Sequence, residues 1–276
     1  MAAMELDDVR AAAARLRPHL LPTPALESDW LSEAYGAPVT VLWESLQRTG
    51  SFKLRGALNK LLLLAERGAS RDLAVSAGNH GLGVAWAARL LGFEATVVVP
   101  AGAAANKVAA IRRLGAAIEV LGRSYDEAEA AARALAASRP GVEFVSPYND
   151  LDVVAGQATA TLDLLAAARC DVLLVPAGGG GLLAGAVLAA QAARPVPAVY
   201  GVQPENAPAL HEALPDRRRP LRQPRGGHGD APLTSRRIPR ARRRAVRARR
   251  GPRQWSRSIS SIAPAWTASS FRKCQG

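Results

Sequence analysis

Residues 172–193 run for 22 positions without a charge, long enough to cross a bilayer as one helix. Pro176 and four consecutive glycines, Gly178, Gly179, Gly180 and Gly181, cut that run in two. The reading that fits is a buried strand over 171–175, a glycine loop, and a helix over 182–193. The same alternation fills the chain upstream. Strands are expected at 39–43, 73–76, 95–99, 116–121, 144–145 and 199–202, and helices at 7–20, 56–69, 81–91, 107–114, 124–137 and 156–168. Short apolar strands alternating with helices of this length predict an α/β fold with parallel sheets covered on both faces.

Charge divides the chain. Of its 36 basic and 23 acidic residues, 18 and 2 fall in residues 215–276, which leaves 18 and 21 for the first 214. The overall +13 is therefore a property of the last segment. In that segment Leu, Ile, Val and Phe together number only 7, so it cannot offset its ordering entropy by burial and is expected to be disordered. A polyanion-binding arm is the other reading of such a tail, but with few aromatics, Trp255 and Trp266 among them, it lacks the aromatic interleaving of a base-stacking surface. With two cysteines, Cys170 and Cys274, there is no disulfide framework, and a reducing, cytoplasmic setting is expected. The acidic N-terminus lacks the apolar core of a signal peptide.

Three segments carry chemistry. Lys53 stands between Phe52 and Leu54 in Ser-Phe-Lys-Leu-Arg-Gly, just ahead of a helix. A lysine amine condenses with an aldehyde when it is desolvated enough to be free near neutral pH, although a solvated helix-start lysine is the commoner case. In Ser76-Ala77-Gly78-Asn79-His80-Gly81 a hydroxyl, an amide and an imidazole precede a helix. Such a turn can bind a carboxylate, or can simply cap the helix. The glycine run before a helix lets several backbone N–H groups converge on a phosphate. Gly179, Gly181 and Ala184 also fit the dinucleotide fingerprint, with Glu205 about 20 residues on. That alternative leaves Lys53 and the Asn79-His80 loop without a role. No His/Cys/Asp/Glu cluster has the spacing of a metal site.

The ordered set Gln47 to Ala57, Ser76 to Gly81, Ser124 to Ala128, Ala155-Gly-Gln157, Val175 to Leu182 and Gly201-Val-Gln-Pro204 resembles the threonine/serine dehydratases (threonine ammonia-lyases) among the fold-type II pyridoxal-phosphate enzymes. The resemblance runs from about Leu21 to about Leu214, and nothing from Pro215 onward takes part in it. A frameshift or truncation after about Leu214 is the expectation.

The resemblance implies a tryptophan-synthase-β-like two-domain fold with an incomplete large domain. That domain is formed by 1–45 and 144–214, and a small α/β domain, 46–143, is inserted into it. It implies pyridoxal phosphate as cofactor, held as a Schiff base on the catalytic Lys53. Phe52 packs on the ring, Asn79 bonds its phenolic oxygen, and Gly178, Gly179, Gly180, Gly181 and Leu182 hold the phosphate. The substrate carboxylate falls to Ser76, Ala77, Gly78, Asn79 and His80. The implied reaction is dehydration and deamination of L-threonine or L-serine to a 2-oxo acid and ammonia. The alternatives are a catalytically impaired remnant and a lyase for another β-hydroxy amino acid. Partners are a small amino acid and, by resemblance, like chains in an oligomer, with neither membrane nor nucleic acid. Ala77 stands where the racemases of this family carry a second serine, and Gln203 where their metal site uses an acid, so racemization and metal activation are not expected.

Overall fold

A computed structural model of the chain describes residues 4–68, 72–76 (backbone only), 78–204 and 210. The arginine-rich tail, Ala77 and Glu205 lie outside the described residues.

The chain opens with α1 (Leu6–Leu16), whose buried stripe is Val9, Ala12 and Leu16. A three-residue strand β1 (Ala25–Glu27) and a short helix α2 (Asp29–Tyr35), capped by the Ser28 side chain, lead to β2 (Thr40–Leu42). β1 and β2 pair antiparallel. Neither β1 nor α2 was expected, and the antiparallel β1–β2 pair is an exception to the parallel rule. Each is short, and no residue of α2 is buried, so an apolar period had nothing to register.

Four parallel strands make the central sheet. They are β3 (Asp72–Ser76), β4 (Glu94–Val99), β5 (Ala117–Val120) and β6 (Val142–Phe144), in the order β5-β4-β3-β6. Between them run α3 (Lys53–Glu66, before β3), α4 (Asn79–Leu91), α5 (Ala105–Arg113) and α6 (Tyr125–Ser138). The chain then forms α7 (Leu151–Ala167), β7 (Val172–Pro176), α8 (Gly181–Ala189) and β8 (Ala198–Val202), with β7 and β8 parallel.

Every expected strand and helix up to β8 is present with shifted ends. The shift that matters is at α3, which begins at Lys53 rather than after it. α7 likewise begins at Leu151, where Asp150 accepts from the backbone N–H groups of Asp152 and Val153.

α3 is the axis of the core. Leu54, Ala57, Leu58 and Leu61 are fully buried, and the helix packs on α1, α4 and α7. Glycines let it approach its neighbours closely. A Cβ on Gly56 would lie 2.6 Å from the Val153 carbonyl oxygen of α7, one on Gly156 would meet the Arg55 carbonyl, and one on Gly83 of α4 would lie 3.2 Å from the Lys53 carbonyl. Lys60 of α3 reaches Asp150 and Asp152, each at 3.0 Å, and so ties α3 to the start of α7. Lys53 is thus the first residue of a helix that its surroundings hold on several sides.

Candidate active site

The strands of a parallel sheet deliver their loops to one end, where such folds bind ligands. Gly78 to His80 come after β3, Val145 to Tyr148 follows β6, and the glycine run follows β7. All three lie at carboxyl ends of strands.

Lys53 extends from the first turn of α3 to the segment after β6, where its Nζ donates to the Pro147 carbonyl at 2.9 Å. The side chain is partly accessible, but its nitrogen is deep enough for desolvation to lower the pKa from 10.5 to about 8. Among the described residues it forms no ion pair, and a neutral carbonyl does little to hold an ammonium. The Phe52 ring centroid lies 5.3 Å from Nζ. An amine with so little support for its charge suits condensation with an aldehyde.

The segment after β6 gathers the rest of the site. His80 is buried on α4, and its Nε2 donates to the Val145 carbonyl at 2.9 Å. Burial, then the nearby Lys53 charge, push its pKa down to about 3, against the Val145 hydrogen bond. The ring is neutral, and its Nδ1 is a bare acceptor without a partner among the described residues. Gln157, fully buried on α7, donates Nε2 to the same Pro147 carbonyl at 3.0 Å. Tyr148 lies over the glycine loop, where a Cβ on Gly179 would be 2.6 Å from its ring and one on Gly181 3.0 Å from its Cα. Its hydroxyl donates to Glu129 of α6 at 2.7 Å, and Glu129 in turn accepts from Arg133. Burial and then the Glu129 charge hold the phenol proton far above its ordinary range.

Lys53, Phe52 and His80, all singled out from the sequence, come together with the glycine loop through the Val145 to Tyr148 segment. Gly178 has open space where a Cβ would stand, and Gly180, at φ +89, takes the left-handed turn that starts α8, with Leu182 one residue into that helix. Gly78, at φ +87, makes the turn before α4, and Asn79, at the first position of that helix, is exposed. Ser76 is the last residue of β3. The ring of His80 faces inward, so the donors this loop offers to an anion are the backbone N–H groups at the start of α4.

Sequence reasoning gave no role to Pro147, Tyr148 or Gln157. Pro147 acts through its backbone, which carries no side-chain signature. Gln157, an amide in an otherwise apolar stretch of α7, was the available signal.

Among the described residues four buried polar atoms have no partner: Thr49 Oγ1, Ser51 Oγ, His80 Nδ1 and Gln157 Oε1. Two are within four residues of Lys53 in the chain, one is coupled to it electrostatically, and one belongs to the amide that shares its acceptor. Buried polar groups are ordinarily satisfied, so these four orphans make the surroundings of Lys53 a candidate ligand site. The desolvated amine, the glycine turn at the start of α8 and these orphans fit a phosphate-bearing aldehyde. A cavity of about 460 Å³ lined by Phe93, Glu94, Thr96, Gly115 and Arg139 lies instead at the opposite, amino end of the strands.

Residues 16–249 match the family model described as pyridoxal-phosphate dependent enzyme. The chain belongs to that family. Its match extends beyond Leu214, where the recognisable motifs end. The chain is 40% identical over 211 residues to an L-threonine ammonia-lyase of Thermotoga maritima, covering 76% of this chain and 52% of that one. It is 44% identical over 200 residues to an L-threo-3-hydroxyaspartate ammonia-lyase of Pseudomonas sp, covering 72% and 62%. Among solved structures it superposes on the T.th. threonine deaminase with a TM-score of 0.69 at 39% identity, covering 77% of this chain and 69% of that one. The chain therefore spans between half and two thirds of the length of the two ammonia-lyases. As a pyridoxal-phosphate family member it has the α/β architecture with parallel sheets read from the sequence.

Proposed function

We propose that this chain is a pyridoxal-phosphate-dependent ammonia-lyase that dehydrates and deaminates L-threonine and L-serine. The observation that carries the reading is Lys53: a desolvated amine seated on a neutral carbonyl, at the carboxyl ends of the strands and beside a glycine turn. When bound, pyridoxal phosphate supplies the aldehyde and the electron sink that make the Cα proton of an amino acid acidic.

Lys53 is the residue that would hold the cofactor covalently, with Phe52 against its ring and Asn79 toward its phenolic oxygen. The N–H groups of Gly178 to Leu182 suit its phosphate, aided by the N-terminus of α8. The substrate carboxylate falls to the start of α4, with Ser76, Ala77, Gly78 and the backbone of Asn79 and His80. Once the substrate's amino group has displaced it from the cofactor, the freed Lys53 amine, with a pKa near 8, would be partly unprotonated at neutral pH and could take the Cα proton at Nζ. The Pro147 carbonyl then accepts from the resulting ammonium. Loss of the β-hydroxyl as water and hydrolysis release the 2-oxo acid and ammonia.

The small-molecule partner in this reading is the amino acid. An oligomer of like chains, a cytoplasmic setting, and the division into a small domain (46–143) inserted in a large one (1–45 and 144–214) belong to the same proposal. Cys170 is a free thiol, in keeping with a reducing compartment. Among the described residues no helix is long and apolar enough to cross a membrane.

Two observations favour narrower readings. The 44% identical relative is named for L-threo-3-hydroxyaspartate, which makes that β-hydroxy acid a candidate substrate. Val172, Leu174 and Val202 are exposed on β7 and β8, and a parallel sheet is ordinarily covered on both faces, which favours a chain that binds cofactor without turnover. Incubation of the full chain and pyridoxal phosphate with each of the three amino acids, measuring ammonia and 2-oxo acid, decides among them. The proposal expects 2-oxobutanoate from L-threonine. Cofactor binding with no 2-oxo acid from any of them would overturn it.

A further inference from the structure

The Pro147 carbonyl accepts two hydrogen bonds, from Lys53 Nζ at 2.9 Å and from Gln157 Nε2 at 3.0 Å. A carbonyl oxygen has two lone pairs, so both donors are accommodated, but each has the weaker share of one acceptor. Gln157 is fully buried, its orientation is fixed because only Nε2 can donate to a carbonyl, and its Oε1 has no partner among the described residues, 3.1 Å from where a Cβ on Gly181 would stand. One amide side chain thus links the seat of the amine to the first residue of the glycine-loop helix.

We propose that Gln157 is a positioning residue for the Lys53 amine: by occupying the second lone pair of the Pro147 carbonyl it weakens that carbonyl's hold on the ammonium and keeps the carbonyl satisfied when the amine leaves. Without Gln157, departure of Lys53 would strand a buried carbonyl, a state that proteins avoid. With it, the amine can move between Pro147 and a ligand while the backbone loop stays in place.

No other described group does this work. The titratable group facing Lys53 from α4 is His80, held neutral with its Nε2 on Val145. Tyr148, next to Pro147, keeps its proton and is turned to Glu129. The Phe52 ring on the lysine's own side favours the ammonium. Desolvation and the shared acceptor oppose it.

The inference gives Gln157 its part in the reading of Lys53 as the cofactor-bearing amine, but its test needs no cofactor. In the full apo chain, the pH dependence of reductive methylation at Lys53, read peptide by peptide in a mass spectrometer, gives the amine's titration midpoint. In Gln157→Met, close in volume but without a donor, the midpoint is expected to rise by about half a pH unit or more. Gln157→Asn, whose amide is one methylene too short to reach Pro147, gives the same shift and serves if the Met variant does not fold. A merely structural Gln157 would alter the denaturation midpoint and leave the Lys53 titration where it was. An unchanged midpoint in a folded variant overturns the proposal. Failure of pyridoxal phosphate to label Lys53 in the wild-type chain would instead count against the reading of the lysine, so the two failures are distinguishable.

Discussion

Arg55 and Glu44 form a two-point ion pair, Nε to Oε2 at 3.0 Å and Nη2 to Oε1 at 2.7 Å, two residues along α3 from Lys53. Arg55 is almost wholly buried, and its other donors reach Thr23, Thr159 and Asp163. One guanidinium thereby ties the first turn of α3 to the segment before β1, to the turn after β2 and to α7.

Because Glu44 is itself largely buried, Arg55→Leu leaves a carboxylate without its counter-charge. The expected loss is about 3–5 kcal/mol of unfolding free energy. Arg55→Leu combined with Glu44→Leu recovers much of it, since no charge is then stranded. Urea denaturation of the two variants checks this, and equal losses would show that the pair is not what holds the turn.

Gly179→Ala places a methyl against the near side of the Tyr148 ring, at a point where the ring cannot swing away cheaply. A cost of roughly 1–3 kcal/mol is expected from overpacking. Adding Tyr148→Ala removes the clash, so the double variant is less destabilised than the sum of the singles. A thermodynamic cycle on melting curves measures the coupling.

Lys53 is a stability liability in the apo chain. Its folded pKa, about 8, lies below the ordinary 10.5. The neutral amine is favoured in the fold, so no penalty applies above pH 10.5, and the penalty grows as pH falls toward 8 and is complete below it. Lys53→Met is therefore expected to stabilise the apo chain at neutral pH, by at most about 3 kcal/mol. The gain should vanish in strongly alkaline solution, as denaturant midpoints across pH would show.

His80 makes a second pH signature. Folded, it resists protonation down to about pH 3, whereas the unfolded ring takes a proton near 6.5. The unfolded state thus binds the extra proton, and stability falls as pH drops below 6.5, by up to about 1.4 kcal/mol per unit. His80→Gln, which can still donate to the Val145 carbonyl, should flatten that slope. Denaturant midpoints at about pH 7 and about pH 5 compare the two.

The residues that declare themselves in this sequence are those whose chemistry needs consecutive positions. Four glycines before a helix and Ser-Phe-Lys-Leu-Arg-Gly are legible because a tight turn and a helix start are local events. The alternating strands and helices were legible for the same reason. Pro147 was not, because its contribution is a backbone oxygen supplied by a loop 94 residues from Lys53 in sequence. Tyr148 gave no sign of the fit that makes glycine necessary at 179 and 181, since that fit appears only when the segments after β6 and β7 meet. Strand β1 and helix α2 escaped because they are short and little buried, with too few apolar positions to establish a period.

The central claim is that Lys53 is the amine that takes pyridoxal phosphate. The most direct measurement is the visible spectrum of the purified chain with the cofactor, beside Lys53→Ala, followed by borohydride reduction and peptide mass analysis. The account predicts an absorption band in the wild type that is absent from the variant, and a reduced cofactor adduct on the peptide containing Lys53. A folded wild-type chain with no band, or an adduct on a different lysine, would contradict it.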